Sequence, residues 1–417
     1  MVRYFLIAVS SSLVLLFRTL LVIGDDAAGK SANAAGLVSE FVLENAPFNV
    51  GIVSGNRELI VARGKRGIPE VLTPDDFQQE GNDPIGVVST AAVYKAMRID
   101  ATDGQLYAMK VLIMDPAIPG FSDNRTAIKK HEVEVVKYVK EHRNTSPFIV
   151  KFWAIGPLNT WPLKGRDGNA GVTQDGIVME LLSEISLYKF LENHGRLSED
   201  LSCFFAYQIL KALTYLHSVQ NQGRKRIIVV LRDLSPANVV FEKVNGKGEV
   251  NGMLKLIDFG LSLVGDASDK QKFFKEVEEV RKLVENYGAP GYKPPEVLLK
   301  KNIGRKTDIW AAGAIIYRMV VGYPPHTTVT PREDQSKPPR VITDTEKIEN
   351  GTEVPLSKAM SEDLKILLTA LLQSKSNNRP SAEQALRYKW FTNRAKILNK
   401  LENKSVDFTN FVKDQLS

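Results

Sequence analysis

Two hydrophobic periodicities divide this chain, one after the other. From about residue 85 to residue 181 the apolar residues come in short blocks and alternations, as in strands. The runs 85–88, 92–99 and 105–114 read as three successive strands, with Asp103 and Gly104 placed as a hairpin turn between the last two. Glu132, Val135, Val136 and Val139 then share one face of a helix, and 148–154 and 176–181 read as further strands. Beyond residue 183 the spacing becomes helical. Phe205, Ile209, Leu213 and Leu216 mark one face, Leu364, Leu367, Leu368 and Leu371 another, and 308–321 is apolar on nearly every side, as a helix inside a large domain is. The stretch 322–356, rich in Pro, Thr and charge, reads as a long surface connection. A small sheet-rich lobe followed by a larger helical lobe is an α+β, bilobal architecture.

The composition supports such a molecule. At 417 residues the chain is long enough for two or three units or one bilobal enzyme, and 43% hydrophobic residues against 25% charged ones exclude wholesale disorder. One cysteine, Cys203, excludes an intrachain disulfide. Lys and Arg total 55 against 48 Asp and Glu, a net +7 spread along the chain, which reads as solubility and not as a nucleic-acid surface.

The first residues carry Arg3, then an apolar stretch over 5–17, then Val22, Ile23 and Gly24 before Asp25. This is the pattern of a signal peptide over 1–24; the competing reading is an uncleaved anchor, which Arg18 opposes because a charge within the bilayer costs about 2.5–3.5 kcal/mol. Residues 25–80 read as an extension without chemistry, 81–182 as the small lobe, 183–392 as the large lobe and 393–417 as a tail.

The residues suited to chemistry fall in a telling order. Lys110 ends the run Tyr107-Ala-Met-Lys on a strand. Asp233 and Asn238 share a loop between apolar runs. Asp258-Phe-Gly260 follows the strand-like 254–257, and Glu296 and Asp308 come further on. Together these stretches resemble the protein-kinase signature set, over about 81–392. The resemblance implies that Lys110 reaches the α- and β-phosphates of ATP and that Glu132, with Glu134 as the fallback, holds Lys110 by an ion pair. It implies Asp233 as the base for the substrate hydroxyl, and Asn238 and Asp258 as ligands of Mg²⁺. A polyphosphate is strongly anionic, so a fixed cation and a hard metal on oxygen ligands fit the task. Gly86 would open the glycine-rich loop. Val93 and Ala108 would roof the adenine, Val240 would floor it, Met179 would be the gatekeeper, and the backbone of Glu180 to Leu182 would read the adenine edge. Glu296 and Arg379 match a pair that is structural in the family.

The sequence also departs from the pattern. Gly86 is the only glycine kept in 86–93, where Val88 and Ala91 stand at the other two glycine positions, so the loop is expected not to wrap the phosphates in the usual way. Leu231 replaces a histidine, and Ser235 stands where serine/threonine kinases carry a lysine, with Ala237 giving no arginine in its stead. Ala289 replaces a threonine that bonds the catalytic aspartate. Phe273, Val277, Val280 and Val284 predict an amphipathic helix over 270–286, with Glu276 available to Arg232.

Two readings stay open. The first is a secreted protein kinase passing the γ-phosphoryl of ATP to Ser or Thr hydroxyls of protein substrates. The alternative is a pseudokinase that binds nucleotide or a regulatory protein partner. A small-molecule kinase fits the pattern through Glu296 and Asp308 less well. Contact with a membrane is expected only through an uncleaved anchor. A leader on a kinase-like chain is similar to the secreted rhoptry-type kinases of apicomplexan parasites, and a reducing destination such as a host cell would suit the lone cysteine.

Overall fold

The strand-patterned part closes into one antiparallel sheet. In the computed structural model β1 (Phe77–Glu80), β2 (Gly86–Val88), β3 (Ala91–Arg98), β4 (Leu106–Met114), β5 (Phe152–Pro157) and β6 (Thr173–Glu180) form a six-stranded sheet in the order β1-β3-β4-β6-β5, with β2 also on β3. The structure describes residues 72–416 except 82, 89–90, 115–122, 143–144, 160–172, 223–224, 244–249, 267–287, 302, 331–339 and 403–407, and the compact unit that holds these elements begins at Thr73. The leader, most of the extension and the helix expected over 270–286 lie outside the described residues.

β4 lies between β3 and β6, and its Tyr107, Ala108, Met109, Val111 and Leu112 are all buried, so both faces of this strand are covered. The sheet begins at Phe77, ahead of the boundary expected at residue 81. Phe77 is 1% exposed and meets the Tyr107 ring edge-on at 5.1 Å, which fixes β1 on β3. The β3–β4 connection takes in all of 99–105 and is longer than the Asp103-Gly104 turn expected. That pair makes its last bend, with Gly104 at φ +65° and the Asp103 carboxylate accepting the Gln105 N–H at 3.0 Å. The strand expected over 148–154 starts only at Phe152. Before it, Phe148 and Val150 bond the backbone of Leu256 (3.0 and 2.9 Å) and stitch the sheet to the second lobe. α1 (Asp123–His142) buries Val133, Val135, Val136 and Val139 against the sheet side of the molecule.

The large lobe is built around α3 (Glu199–His217) and α5 (Arg305–Val321), with α2 (Leu187–His194) ahead of them and α4 (Pro295–Leu298) between them in the chain. Ser198 caps α3 through the Leu201 N–H at 3.2 Å, and Gly322 ends α5 at φ +99°. α5 is buried on every side from Thr307 to Met319, as the all-round apolar pattern requires. The described residues of 322–356 form more regular structure than a surface connection. β12 (Thr327–Thr330) pairs with β13 (Arg340–Thr343), and α6 (Thr345–Glu349) follows with Ile348 buried. The β-branched Thr, Val and Ile residues suit that ribbon, and Ile348 anchors it to the core. In α7 (Glu362–Leu371), Leu364, Leu367, Leu368 and Leu371 are all fully buried, each contributing about 1.5–3 kcal/mol.

Short strands bring the functional loops together. β8 (Lys225–Val230), flanked by β7 (Gln220–Gln222), pairs with β11 (Leu263–Asp266), and β9 (Val239–Phe241) pairs with β10 (Leu254–Leu256). The loop 231–238 joins β8 to β9, and the loop 257–262 joins β10 to β11. With both ends of each loop paired in this way, the two loops must lie side by side. Among the described residues no helix is long and apolar enough to cross a membrane.

Candidate active site

Lys110 and Ala108 stand two residues apart on β4, where successive side chains alternate faces, so both belong to one face of the sheet. Val93 is the register partner of Lys110 on β3, Gly86 is the partner of Val93 on β2, and Met179 is the partner of Ala108 on β6. The Lys110 ammonium is 2.5 Å from Glu132 Oε1 on α1 and 3.8 Å from Asp258 Oδ1. Glu134, the fallback, is exposed and pairs with Lys137 at 3.6 Å. Burial works against the Lys110 charge, but the Asp258 and Glu132 carboxylates more than offset it and hold the ammonium above the ordinary lysine range. Burial pushes the Glu132 carboxyl up, with Lys110 pulling it back and Asp258 adding to the rise.

Phe259 is 1% exposed and packs edge-on against Phe152 at 5.8 Å, which leaves the neighbouring Asp258 side chain at the cleft. Asp258 Oδ1 also accepts the Gly260 N–H at 2.9 Å. A Cβ on Gly260 would stand 3.2 Å from both that oxygen and the Glu132 carboxylate, so this close approach favours glycine. His131 Nε2 lies 2.7 Å from the Ser262 carbonyl and ties α1 to the same loop.

The loop of Asp233 is held from below. Asp308 on α5 is 1% exposed; its carboxylate accepts the Leu231 N–H at 2.9 Å and the Arg232 N–H at 2.8 Å and lies 2.8 Å from His217 Nε2. That grip stabilises Arg232 at φ +69°, an unusual backbone state for a residue with a side chain. Leu231, in place of a histidine, is buried in the core. Asn238 donates its amide to the Asp233 carbonyl at 2.9 Å and to Asp233 Oδ2 at 3.4 Å, which turns its Oδ1 the other way. Ala289 lacks the hydroxyl of a threonine, yet its backbone N–H donates to the Asp233 carboxylate. Burial and then the nearby Asp258 push the Asp233 carboxyl up to about 6, while the Ala289 N–H, Asn238 and Lys293 hold it back from rising further.

The described residues bring Lys110, Glu132, Asp233, Asn238 and Asp258 to one cleft. Asp258 and the Asn238 amide oxygen are hard donors, and two such oxygens completed by substrate phosphates suit Mg²⁺. Val240 and Ala108 are buried at 8% and 6%, and Met179 and Leu182 are partly buried. Glu180 is turned away: its carboxylate takes the Lys255 ammonium at 2.8 Å and the Lys151 N–H at 2.7 Å, and its own N–H goes to the Lys151 carbonyl at 2.9 Å. Neither its side chain nor its N–H is therefore available to a base in the cleft. β2 and β3 pair up to Val88 and Ala91, and Gly86 is exposed; a Cβ there would meet only Val93, at 4.0 Å. Glu296 and Arg379 form a buried pair at 2.6 Å that closes the large lobe from within. Sequence reasoning missed Lys293, beside Asp233, and the grip of Asp308. The first left no local signal, and the second rests on contacts between residues far apart in the chain.

Comparison with known proteins agrees with this geometry. The model of the protein kinase domain matches residues 80–391. The probable serine/threonine protein kinase IRE4 of Arabidopsis thaliana is 28% identical over 282 residues, covering 64% of this chain and 24% of its own. The cAMP-dependent protein kinase catalytic subunit PRKX of Mus musculus is 26% identical over 314 residues, covering 74% of this chain and 72% of its own. A calcium and calcium/calmodulin-dependent serine/threonine-protein kinase of Oryza sativa subsp. japonica is 31% identical over 215 residues, covering 51% and 36%. The chain spans about a quarter or less of the length of the Arabidopsis relatives, whose covered shares are 24%, 14% and 21%. On its motifs, its fold and the matched family model, the chain belongs to the protein kinase family.

Proposed function

We propose that this chain is a working serine/threonine-directed protein kinase with Asp233 as its base. The observation that carries the reading is the convergence of the Lys110–Glu132 pair, Asp258, and the bonded Asp233 and Asn238 in one cleft. A site relieved of its chemistry has no reason to keep a buried ammonium between two carboxylates, an arrangement that costs desolvation unless each charge is used or matched.

Lys110, steadied by Glu132, draws the α- and β-phosphates toward the roof of the cleft. Asp258 and the Asn238 amide oxygen hold Mg²⁺, which supplies charge neutralisation on the phosphoryl group when bound. Asp233 accepts the proton of a Ser or Thr hydroxyl as that oxygen bonds to the γ-phosphorus and the bond to the ADP oxygen breaks. A carboxyl pushed up to about 6 is a competent proton acceptor near neutral pH. The secretory leader over 1–24 and a rhoptry-type destination belong to the same proposal; N-terminal sequencing of the chain from a eukaryotic secretory host tests the leader.

The test is transfer. The 417-residue chain with labelled ATP, Mg²⁺ and a generic protein acceptor should yield phosphoserine or phosphothreonine, and Asp233→Asn should abolish it. One observation favours a second reading, a nucleotide-binding pseudokinase: buried Ser235 brings no charge to the cleft. Binding of Mg²⁺–ATP without transfer would decide for that reading.

A further inference from the structure

The charges of the cleft are unevenly matched. Lys110 is committed to Glu132 at 2.5 Å and to Asp258 at 3.8 Å. Ser235, beside the base, is 3% exposed and uncharged. A transferring phosphoryl group spreads its negative charge over three equatorial oxygens, and the positions around it call for fixed positive charge.

Lys293 comes to this place from a different segment. A Cβ built on Gly288 would stand 3.4 Å from Lys293 Cγ, 3.5 Å from Lys293 Cε and 3.7 Å from Asp233 Oδ1. The lysine stem and the carboxylate therefore face one another across the space that a side chain at 288 would fill, and Gly288 at φ +88° also adopts a backbone state that favours glycine. The two groups are electrostatically coupled. The segment around Lys293 is rigidly held. The Tyr292 hydroxyl accepts from Arg318 at 3.0 Å, and Pro294 and Pro295 are buried at the start of α4. Gly291, at φ +85°, lies so close to Pro324 that a Cβ would come within 2.6 Å of it. The backbone that carries Lys293 is thus fixed, so its ammonium can sweep only the space within reach of its stem, which includes the side of Asp233.

We infer that Lys293 supplies the cation that faces the transferring phosphoryl group beside Asp233, the place that Ser235 leaves without charge. This rests on the transfer reading above, and a plain structural ion pair with Asp233 is its rival. The two differ in what they do to a bound phosphoryl mimic.

The experiment titrates the full chain and its Lys293→Met, Lys293→Gln and Lys293→Arg variants with Mg²⁺–ADP, and with Mg²⁺–ADP plus aluminium fluoride. Turnover is measured in parallel. Lys293→Met should leave ADP affinity within about twofold, weaken the aluminium fluoride complex at least about tenfold and lower kcat about a hundredfold, with Lys293→Arg recovering part of both losses. Lys293→Gln reads the same ratio of affinities should the Met variant fold poorly. Equal affinities for the fluoride complex in wild type and variants overturn the inference, even where the wild type transfers phosphate. Selective loss of the fluoride complex in a chain that never turns over supports the cation and overturns the transfer reading instead. A chain that binds no ADP overturns both.

Discussion

The floor and the roof of the cleft are built to different standards. On the floor, Asp233 and Asn238 sit on a loop whose backbone is gripped by buried Asp308, and Asp258 is set by the burial of Phe259. On the roof, β2 and β3 pair up to Val88 and Ala91, and exposed Gly86 has only Val93 beside it, at an easy 4.0 Å from a Cβ built there. The groups proposed to move a proton and hold a metal are thus fixed by buried contacts from other elements. The part that only covers phosphates is left tolerant. Loss of glycines from the roof is therefore a poor guide to whether the floor still works.

The contrast can be broken where it is strongest. Asp308→Ala removes the acceptor of two buried backbone N–H groups and a histidine, and should cost about 3–5 kcal/mol in a denaturant titration. A loss below about 1 kcal/mol would mean that the floor is not held from α5.

Next in size is the pair that ties β4 to α1 above the floor. Glu132→Gln should lower kcat about a hundredfold, whereas Glu134→Gln, on the exposed side of α1, should leave it within about twofold. Equal effects at the two positions would detach Lys110 from Glu132.

Asp233 gives a prediction of opposite sign. Its folded pKa of about 6 exceeds the ordinary 3.8, so folding penalises the ionised form above pH 6, and the penalty fades as the pH falls toward 4. Asp233→Asn should stabilise the ligand-free protein by up to about 2–3 kcal/mol at pH 8, with the gain shrinking on acidification, as followed by Tm against pH. A variant less stable than the wild type at pH 8 would contradict a carboxylate held there against its own burial. The smallest effect belongs to the roof. Gly86→Ala should change stability by less than about 0.5 kcal/mol and transfer by less than about twofold.

The same contrast explains what is legible in the sequence. Lys110, Asp233, Asn238 and Asp258 stand out because the roles proposed for them, toward a phosphate, a proton and a metal, each demand a residue type at a fixed place between strands. Glu132 is preferred to Glu134 because the 3.6-residue period puts it on the face of Val135, Val136 and Val139, which α1 buries. Of the short strands only β10 is read, over 254–257; β1, β7, β9 and β11–β13 are hidden, since so few residues show little alternation and form only when a distant partner is in place. The ribbon of β12 and β13 reads as surface connection for that reason. Glu180 falls at the hinge position, but nothing in its own segment signals that Lys255 draws the side chain away from the cleft. Lys293 is invisible for the converse reason: its partner, Asp233, lies far back in the chain, and only the fold makes them neighbours.

The most direct measurement is a crystal structure with Mg²⁺ and a non-hydrolysable ATP analogue. The metal should lie about 2.1 Å from Asn238 Oδ1 and an Asp258 oxygen, with Lys110 on the α- and β-phosphates. A nucleotide bound without that metal, or with its phosphates away from Lys110, would contradict the convergence of these groups on one substrate.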